Sequence, residues 1–265
     1  MTTECRLIDI GANLSHESFS ADLEEVLSNA KSAGLEKIVL TGTCVESSCQ
    51  ALNLAKQFPD FLYSTAGIHP HDAKLFDSEA CLALENLAEH SSVKAIGETG
   101  LDFNRDFSPR PQQERAFAEQ LALAAKLNMP VFLHQRDAHK RFYPILKEQL
   151  DQLPRAVVHC FTGDQEELYA YLDLDLYIGI TGWICDERRG QNLHAIIKDI
   201  PANRLMLETD APYLLPRTIK PKPKSRRNEP ANLIYVLETV ARCLDRSPDL
   251  VAKQTNQNAR DFFDL

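Results

Sequence analysis

At 265 residues, 44% of them hydrophobic, the chain is long enough for one large barrel or two small domains and has the composition of a soluble globular protein. No apolar run approaches the roughly 18 residues of a membrane span, and the start, "MTTECRLID", lacks the basic end and apolar stretch of a signal peptide, so a cytoplasmic location is expected. A formal net charge of −9 argues against attachment to nucleic acid through the whole surface, and seven cysteines without zinc-knuckle or redox spacing, Cys5 among them, are expected to be reduced packing residues.

The first apolar run, Leu7 to Ile10, carries Asp9 inside it and leads to Gly11 and Asn13, alternate positions that a strand points to one face. A carboxylate buried there needs a partner. "SADLEEVLSNAKSAG" then reads as a helix opened by Ser20 as N-cap and stopped by Gly34. Apolar runs follow at Lys37 to Thr41 and Leu62 to Ala66, the second leading to His69 and His71 in "AGIHPHD". Val93 to Gly97 leads to Glu98 and Asp102 in "GETGLDF", and Pro109 to Pro130 is the clearest helix. Val131 to His134 leads to Arg136, and Ala156 to His159 ends at its histidine. Leu176 to Thr181 precedes Trp183, Arg188 and Arg189, and Leu205 to Glu208 leads to Asp210. From Arg217 to Arg227 six of eleven residues are basic and none is acidic.

Eight continuous apolar runs alternate with amphipathic segments, and no linker or low-complexity stretch interrupts them. The pattern predicts an α/β fold, a (β/α)8 TIM barrel in a single domain over residues 1–265. A doubly wound sheet is the competing architecture, weakened because no G-x-G-x-x-G turn follows any strand. In a barrel the carboxyl ends of the strands converge on one mouth. Each polar strand end has an ordinary structural explanation when taken singly. As a set, however, Glu98, His134, His159 and Asp210 end four different strands, and mixed imidazoles and carboxylates suit a divalent metal with open positions.

"GETGLDF", "PVFLHQRDA", "HCFTG" and "ETDAPYLLP" resemble the successive motifs of the TatD family of metal-dependent deoxyribonucleases. The likeness extends over essentially the whole chain through "DIGANLS", "TAGIHPHD", "GITGWICDERRG" and "KPKPKSRRNEPANL". It implies a barrel of the metallo-dependent hydrolase type, with Glu98, His134 and His159 as metal ligands and Asp210 as the acidic residue of the metal site. Asp210 and Glu98 are then the carboxylates expected to carry catalysis. It also implies a magnesium-dependent 3′-to-5′ exonuclease acting on single-stranded DNA, with RNA as a further substrate, and a part in repairing oxidative damage. The wider family ends strand 1 with D-x-H-x-H, whereas this chain has Asp9, Gly11 and Asn13 there. A second metal at Asp9 and Asn13 is therefore expected to be weak, and the loss of two imidazoles tilts preference from zinc towards magnesium or manganese. His69 and His71 either replace the missing pair or, since Pro70 takes them off the strand, contact a phosphate or leaving oxygen.

Arg136, Arg188, Arg189 and the loop residues Lys222, Lys224, Arg226 and Arg227 are expected to hold phosphates, with the loop prolines limiting its entropy loss. Trp183 and Tyr213 either stack on bases or pack the mouth. Glu208, on the same side as Asp210 but deeper, reads as support for a ligand. The expected partner is single-stranded DNA or RNA, with no membrane, and the chain is expected to be a monomer. Two other functions compete. A barrel hydrolase of C–N or ester bonds, such as a D-aminoacyl-tRNA deacylase, would not need the basic loop for a small substrate. A non-enzymatic binding barrel has no use for Glu98, His134, His159 and Asp210 together.

Overall fold

The computed structural model describes residues 6–265, so Cys5 lies outside the described residues. The first half runs β1 (Leu7–Ala12), α1 (Leu23–Ser32), β2 (Leu35–Leu40), α2 (Val45–Gln57), β3 (Leu62–Ala66), α3 (Ser78–Ala88), β4 (Val93–Asp102) and α4 (Arg110–Leu127). The second runs β5 (Val131–Arg136), α5 (His139–Gln149), β6 (Ala156–Val158), α6 (Gln165–Asp173), β7 (Tyr177–Ile180), α7 (Gln191–Ile196), β8 (Leu205–Leu207), α8 (Leu233–Leu244) and α9 (Pro248–Phe263). The strands form one eight-stranded sheet in the order β1 to β8. A bridge between Ala12 and Ala211 and a 2.8 Å bond from Asp210 N–H to Gly11 O bring β8 back to β1. This is the order of a (β/α)8 barrel, without the reversal of strand order that a doubly wound sheet requires. β1, β6 and β8 are buried along their whole length, as their continuous apolar runs require.

The chain divides into two compact units, one holding residues up to Val39 with Cys160–Gln165 and Tyr177–Leu265, the other Leu40–His159 with Glu166–Leu176. In the first, α9 buries Val251, Phe262 and Phe263, and Asn256 ties it to β1 by accepting from Ile8 N–H (2.9 Å) and donating to Arg6 O (2.6 Å). In the second, Phe117 of α4 stacks on Phe142 of α5 with centroids 5.0 Å apart. The six described cysteines are free thiols, and no helix of the described residues is long and apolar enough to cross a membrane.

Several strand ends differ from the sequence reading by one or two residues, β1 reaching Ala12, β2 starting at Leu35 and β5 reaching Arg136, and two departures are larger. Ser20 closes a short 3-10 turn over Glu17–Phe19 instead of capping α1, whose N-cap is Asp22. The intervening turn uses up the residues that a direct cap would need. β4 continues past Gly97 to Asp102, because Thr99 to Asp102 pair with Leu133 to Arg136 of β5. Glu98 is thus a strand residue, not the first residue of a loop.

Candidate active site

Glu98 is aimed by a bulge. Between the pairs Ile96–Val131 and Thr99–Leu133, β4 advances three residues while β5 advances two. Such an insertion bends the strand and redirects a side chain. Gly97 and Gly100 stand at φ +141° and +145°, and a Cβ on them would strike the carbonyl oxygens of Phe132 and His134 respectively. Only glycine tolerates both the angle and the approach, which is why the glutamate sits inside "GETG".

In this bend Glu98 Oε1 meets His134 Nδ1 and His159 Nε2 at 2.7 Å each and His69 Nε2 at 3.3 Å. Burial opposes ionisation of Glu98, yet the charges of His159 and His69 and the hydrogen bonds from His134 and His159 hold its carboxyl well below the usual carboxylate range. Burial pulls His134 down, but Asp102 and Glu98 outweigh it and keep the imidazole above its ordinary value. His69 is pushed down to about 4, mainly by burial.

A divalent cation fits this set. Atoms of His69, Glu98 and His134 lie within 4.8 Å of one another, and the buried Nε2 of His134 has Asp102 Oδ2 beside it at 3.6 Å, outside hydrogen-bond distance. Imidazole nitrogens suit zinc, and the buried carboxylate beside them suits manganese or magnesium. His69 differs from the others. Its Nδ1 accepts from His71 N–H at 3.1 Å, so the neutral ring carries its proton on Nε2, the atom facing Glu98. A protonated nitrogen donates and does not ligate, which leaves Glu98, His134 and His159 as ligand candidates with His69 as a donor beside them.

Supports that sequence reasoning missed surround the cluster. Asp102 Oδ2 accepts from His71 Nε2 (2.7 Å), and its Oδ1 accepts from the N–H groups of Asn104 and Arg105 (2.9 Å each). Burial opposes its ionisation, but the His134 imidazole beside it at 3.6 Å and the hydrogen bond from His71 hold it well below the usual range. Two fully buried glutamines of α4 grip the neighbouring loops. Gln120 accepts from Ile68 N–H (2.8 Å) and donates to Ile68 O (3.0 Å), and Gln113 accepts from Asp102 N–H (2.9 Å) and donates to Ser108 O (2.8 Å). Their signal was available: two glutamines seven residues apart on the apolar face of the clearest helix. Arg136, at the end of β5, has no ion-pair partner among the described residues.

In the other unit, Asn13 Nδ2 donates to Asp210 Oδ1 at 3.2 Å, and Glu208 Oε1 accepts from Cys160 N–H at 2.5 Å, holding the peptide that follows His159. Asp9 and Asn13, expected as a weak second metal position, thus have other partners. Both Asp9 oxygens are engaged by Thr209, through its N–H (2.9 Å) and hydroxyl (2.5 Å). Burial pushes the Asp9 carboxyl up to about 7, above its unfolded value, so its favourable contribution is complete below the unfolded value and is lost as pH rises through about 7. Asp9→Asn, which keeps the shape and both contacts to Thr209, is expected to flatten the fall in Tm between pH 5 and pH 8. Equal slopes for variant and wild type would reject a protonated Asp9.

The basic residues divide into two groups. Buried Asp186 holds Arg188 and Arg189 at 3.0 and 2.9 Å, and Glu187 holds Arg217 at 2.6 Å. Arg227 meets Asp22 at 2.6 Å and Glu229 at 2.8 Å, so the phosphate contacts expected of Arg188, Arg189 and Arg227 compete with ion pairs already made. Lys220, Lys222, Lys224 and Arg226 are exposed, with no hydrogen bond or ion pair of the side chain among the described residues. Arg189 covers one face of Trp183 at 4.1 Å, and Tyr213 is exposed, its ring centroid 6.0 Å from that of His16 in an edge-on arrangement.

The family model described as TatD related DNase matches residues 8–264. A relative from Edwardsiella piscicida named 3′-5′ ssDNA/RNA exonuclease TatD is 53% identical over 259 residues, covering 98% of this chain and 100% of that protein. The protein of the same name from Salmonella typhimurium is 49% identical over 98% of this chain and 99% of its own length. Among solved structures, a TatD homolog from Escherichia coli K12 is 30% identical with a TM-score of 0.89, covering 99% of each chain. A TatD family hydrolase from Entamoeba histolytica is 28% identical with a TM-score of 0.88, covering 97% of this chain and 98% of its own. With its eight-stranded barrel and with the family's motifs carrying the histidine–carboxylate cluster, this chain belongs to the TatD-related DNase family of hydrolases.

Proposed function

We propose that this chain, acting as one domain, is a metal-dependent 3′-to-5′ exonuclease on single-stranded DNA and RNA, a cytoplasmic monomer with a part in DNA repair. The observation that carries the reading is the convergence of His134 and His159 on one oxygen of Glu98 at 2.7 Å each. The names of relatives about half identical to it support the substrate and polarity. A divalent cation held by Glu98, His134 and His159, magnesium in the cell with manganese or zinc as substitutes, supplies Lewis acidity towards a phosphodiester and lowers the pKa of water.

The chain's own residues do the rest. His69, by turning its Nε2–H from Glu98, donates to an oxygen of the scissile phosphate, and His71, its Nε2–H held by Asp102, contacts the same group or the leaving oxygen. Asp210, its Oδ1 held by Asn13, accepts the proton of the attacking water. For Asp210 this role rests on the motif "ETDAPYLLP". Arg136, Lys222, Lys224 and Arg226 hold the strand's phosphates, with Arg188, Arg189 and Arg227 available only by exchange of their ion pairs. The test is incubation of metal-loaded protein with strands of single- and double-stranded DNA and RNA labelled at either end. Stepwise shortening from the 3′ end of single strands is expected, and no release from any strand would reject the function.

The loop separates binding from stability. Lys222→Gln with Lys224→Gln should leave Tm unchanged and lower the salt slope of single-strand binding by roughly 0.7 per lost contact. Arg227→Gln, which strands Asp22 and Glu229, should lower Tm by a few degrees, equivalent to about 1 kcal/mol in a partly exposed pair. An unchanged slope in the lysine variant would remove the loop from the binding surface.

A further inference from the structure

One large apolar side chain beside the histidine cluster lacks a protein partner to match its size. Phe107 is 58% exposed, and its ring neighbour among the described residues is His71, with centroids 4.7 Å apart at 59°. His71 in turn lies 4.2 Å from His69, and His69 lies 4.4 Å from His134, so a ladder of rings leads from solvent to the residues around Glu98.

The exposure of Phe107 is not that of a loose loop. Ser108 is fully buried; its hydroxyl donates to His71 O (2.7 Å) and accepts from Lys74 N–H (3.1 Å), and its carbonyl accepts from Gln113 Nε2 (2.8 Å). Lys74 Nζ donates to the carbonyl of Phe107 itself at 3.3 Å. The ring is therefore held out from a backbone pinned to the segment that carries His71. Leaving a phenyl ring in water forgoes burial, while fixing its position reduces the entropy lost when a partner stacks on it. The same segment carries cations: the Lys74 ammonium on the Phe107 carbonyl, and Arg105, two residues before Phe107, exposed and with no ion-pair partner of its side chain among the described residues. A fixed aromatic face with cations beside it is the composition of a platform for single-stranded nucleic acid.

We propose that Phe107 stacks on the nucleobase nearest the histidine cluster, with Lys74 and Arg105 on the adjoining phosphate. The proposal rests on the nuclease reading above and adds the residue that seats a base. A phenyl ring offers a face and no polar atom, so the contact tolerates every base and favours the larger purines.

Wild type, Phe107→Ala and Phe107→Trp are compared on 5′-labelled single strands that are intact or abasic at one of the last two 3′ positions. Binding is read by anisotropy in EDTA, where no turnover occurs, and KM and kcat are read with metal. Phe107→Ala should weaken binding and raise KM about tenfold, the effect of one lost stack, with kcat and Tm little changed. Phe107→Trp should restore both. Wild type should lose a similar factor on one of the abasic strands, and Phe107→Ala should not distinguish that strand from the intact one. If Phe107→Ala binds like wild type and discriminates the abasic strand equally, the platform is overturned while the nuclease reading stands. If wild type shortens no strand, the nuclease reading fails and the platform with it.

Discussion

Glu98→Gln is expected to lower nuclease turnover by about 10³-fold and metal affinity by at least about a hundredfold, more than the 10- to 100-fold typical of losing a residue that merely orients a ligand. Glu98 is the carboxylate on which His134 and His159 converge at 2.7 Å, and it carries the negative charge of the ligand set. The amide keeps the volume but not the charge. It also takes from the buried His134 and His159 rings the carboxylate oxygen to which both are hydrogen-bonded, which should cost about 3 kcal/mol, or roughly 6–12 °C in Tm for a chain of this size. Because the Glu98 carboxyl is held well below the usual range, its stabilisation is present above the unfolded carboxylate pKa and is lost as pH falls through the folded one. The Tm difference between variant and wild type should therefore be large at pH 7 and shrink in strong acid. Manganese titration calorimetry, strand degradation and Tm against pH check the three parts. A folded variant with wild-type metal stoichiometry and activity within a few-fold would sink the assignment of Glu98.

The strand ends were legible because they are local. Continuous apolar runs mark strands buried on both faces, and the residue that breaks each run is the one the barrel delivers to a strand end. Glu98, His134 and His159 were found that way, each within one or two residues of the end of its run. For His69, sequence left two roles open, and the choice turns on a hydrogen bond between Nδ1 and the His71 N–H that no pattern announces.

What was not legible depends on partners distant in the chain. Arg227 read as one more cation of a basic loop, but its carboxylate Asp22 lies 205 residues earlier. Asp102 reads from sequence only as a polar residue at the end of the fourth strand, whereas the fold surrounds it with His71 and the backbone N–H groups of Asn104 and Arg105. Composition counts such groups by charge, whereas ion pairing depends on which of them the fold brings within about 4 Å. The length of β4 was missed for a related reason. Glycine weakens a strand when judged by propensity, and only the approach of β5 explains why two of them continue this one.

Gly97→Ala tests that last point and should disable the site from outside it. A methyl group at φ +141° is strained by about 1–3 kcal/mol, and its collision with the Phe132 carbonyl adds an overpacking cost of similar size. Together, about 2–6 kcal/mol, they predict a fall in Tm of about 4–24 °C. β4 can relieve the clash by moving away from β5, and that movement carries Glu98 away from His134. A displacement of about 1 Å is worth roughly a hundredfold in rate, so activity should fall further than stability alone accounts for. Gly34→Ala is the control: its φ of +92° is also unfavourable for alanine, but it lies just past the end of α1. That change should cost about 1–2 kcal/mol and leave turnover per folded molecule unchanged. Turnover normalised to folded protein decides between the two. If Gly97→Ala loses no more of it than Gly34→Ala does, the glycine bulge is a feature of strand packing only, and something other than the β4–β5 contact aims Glu98.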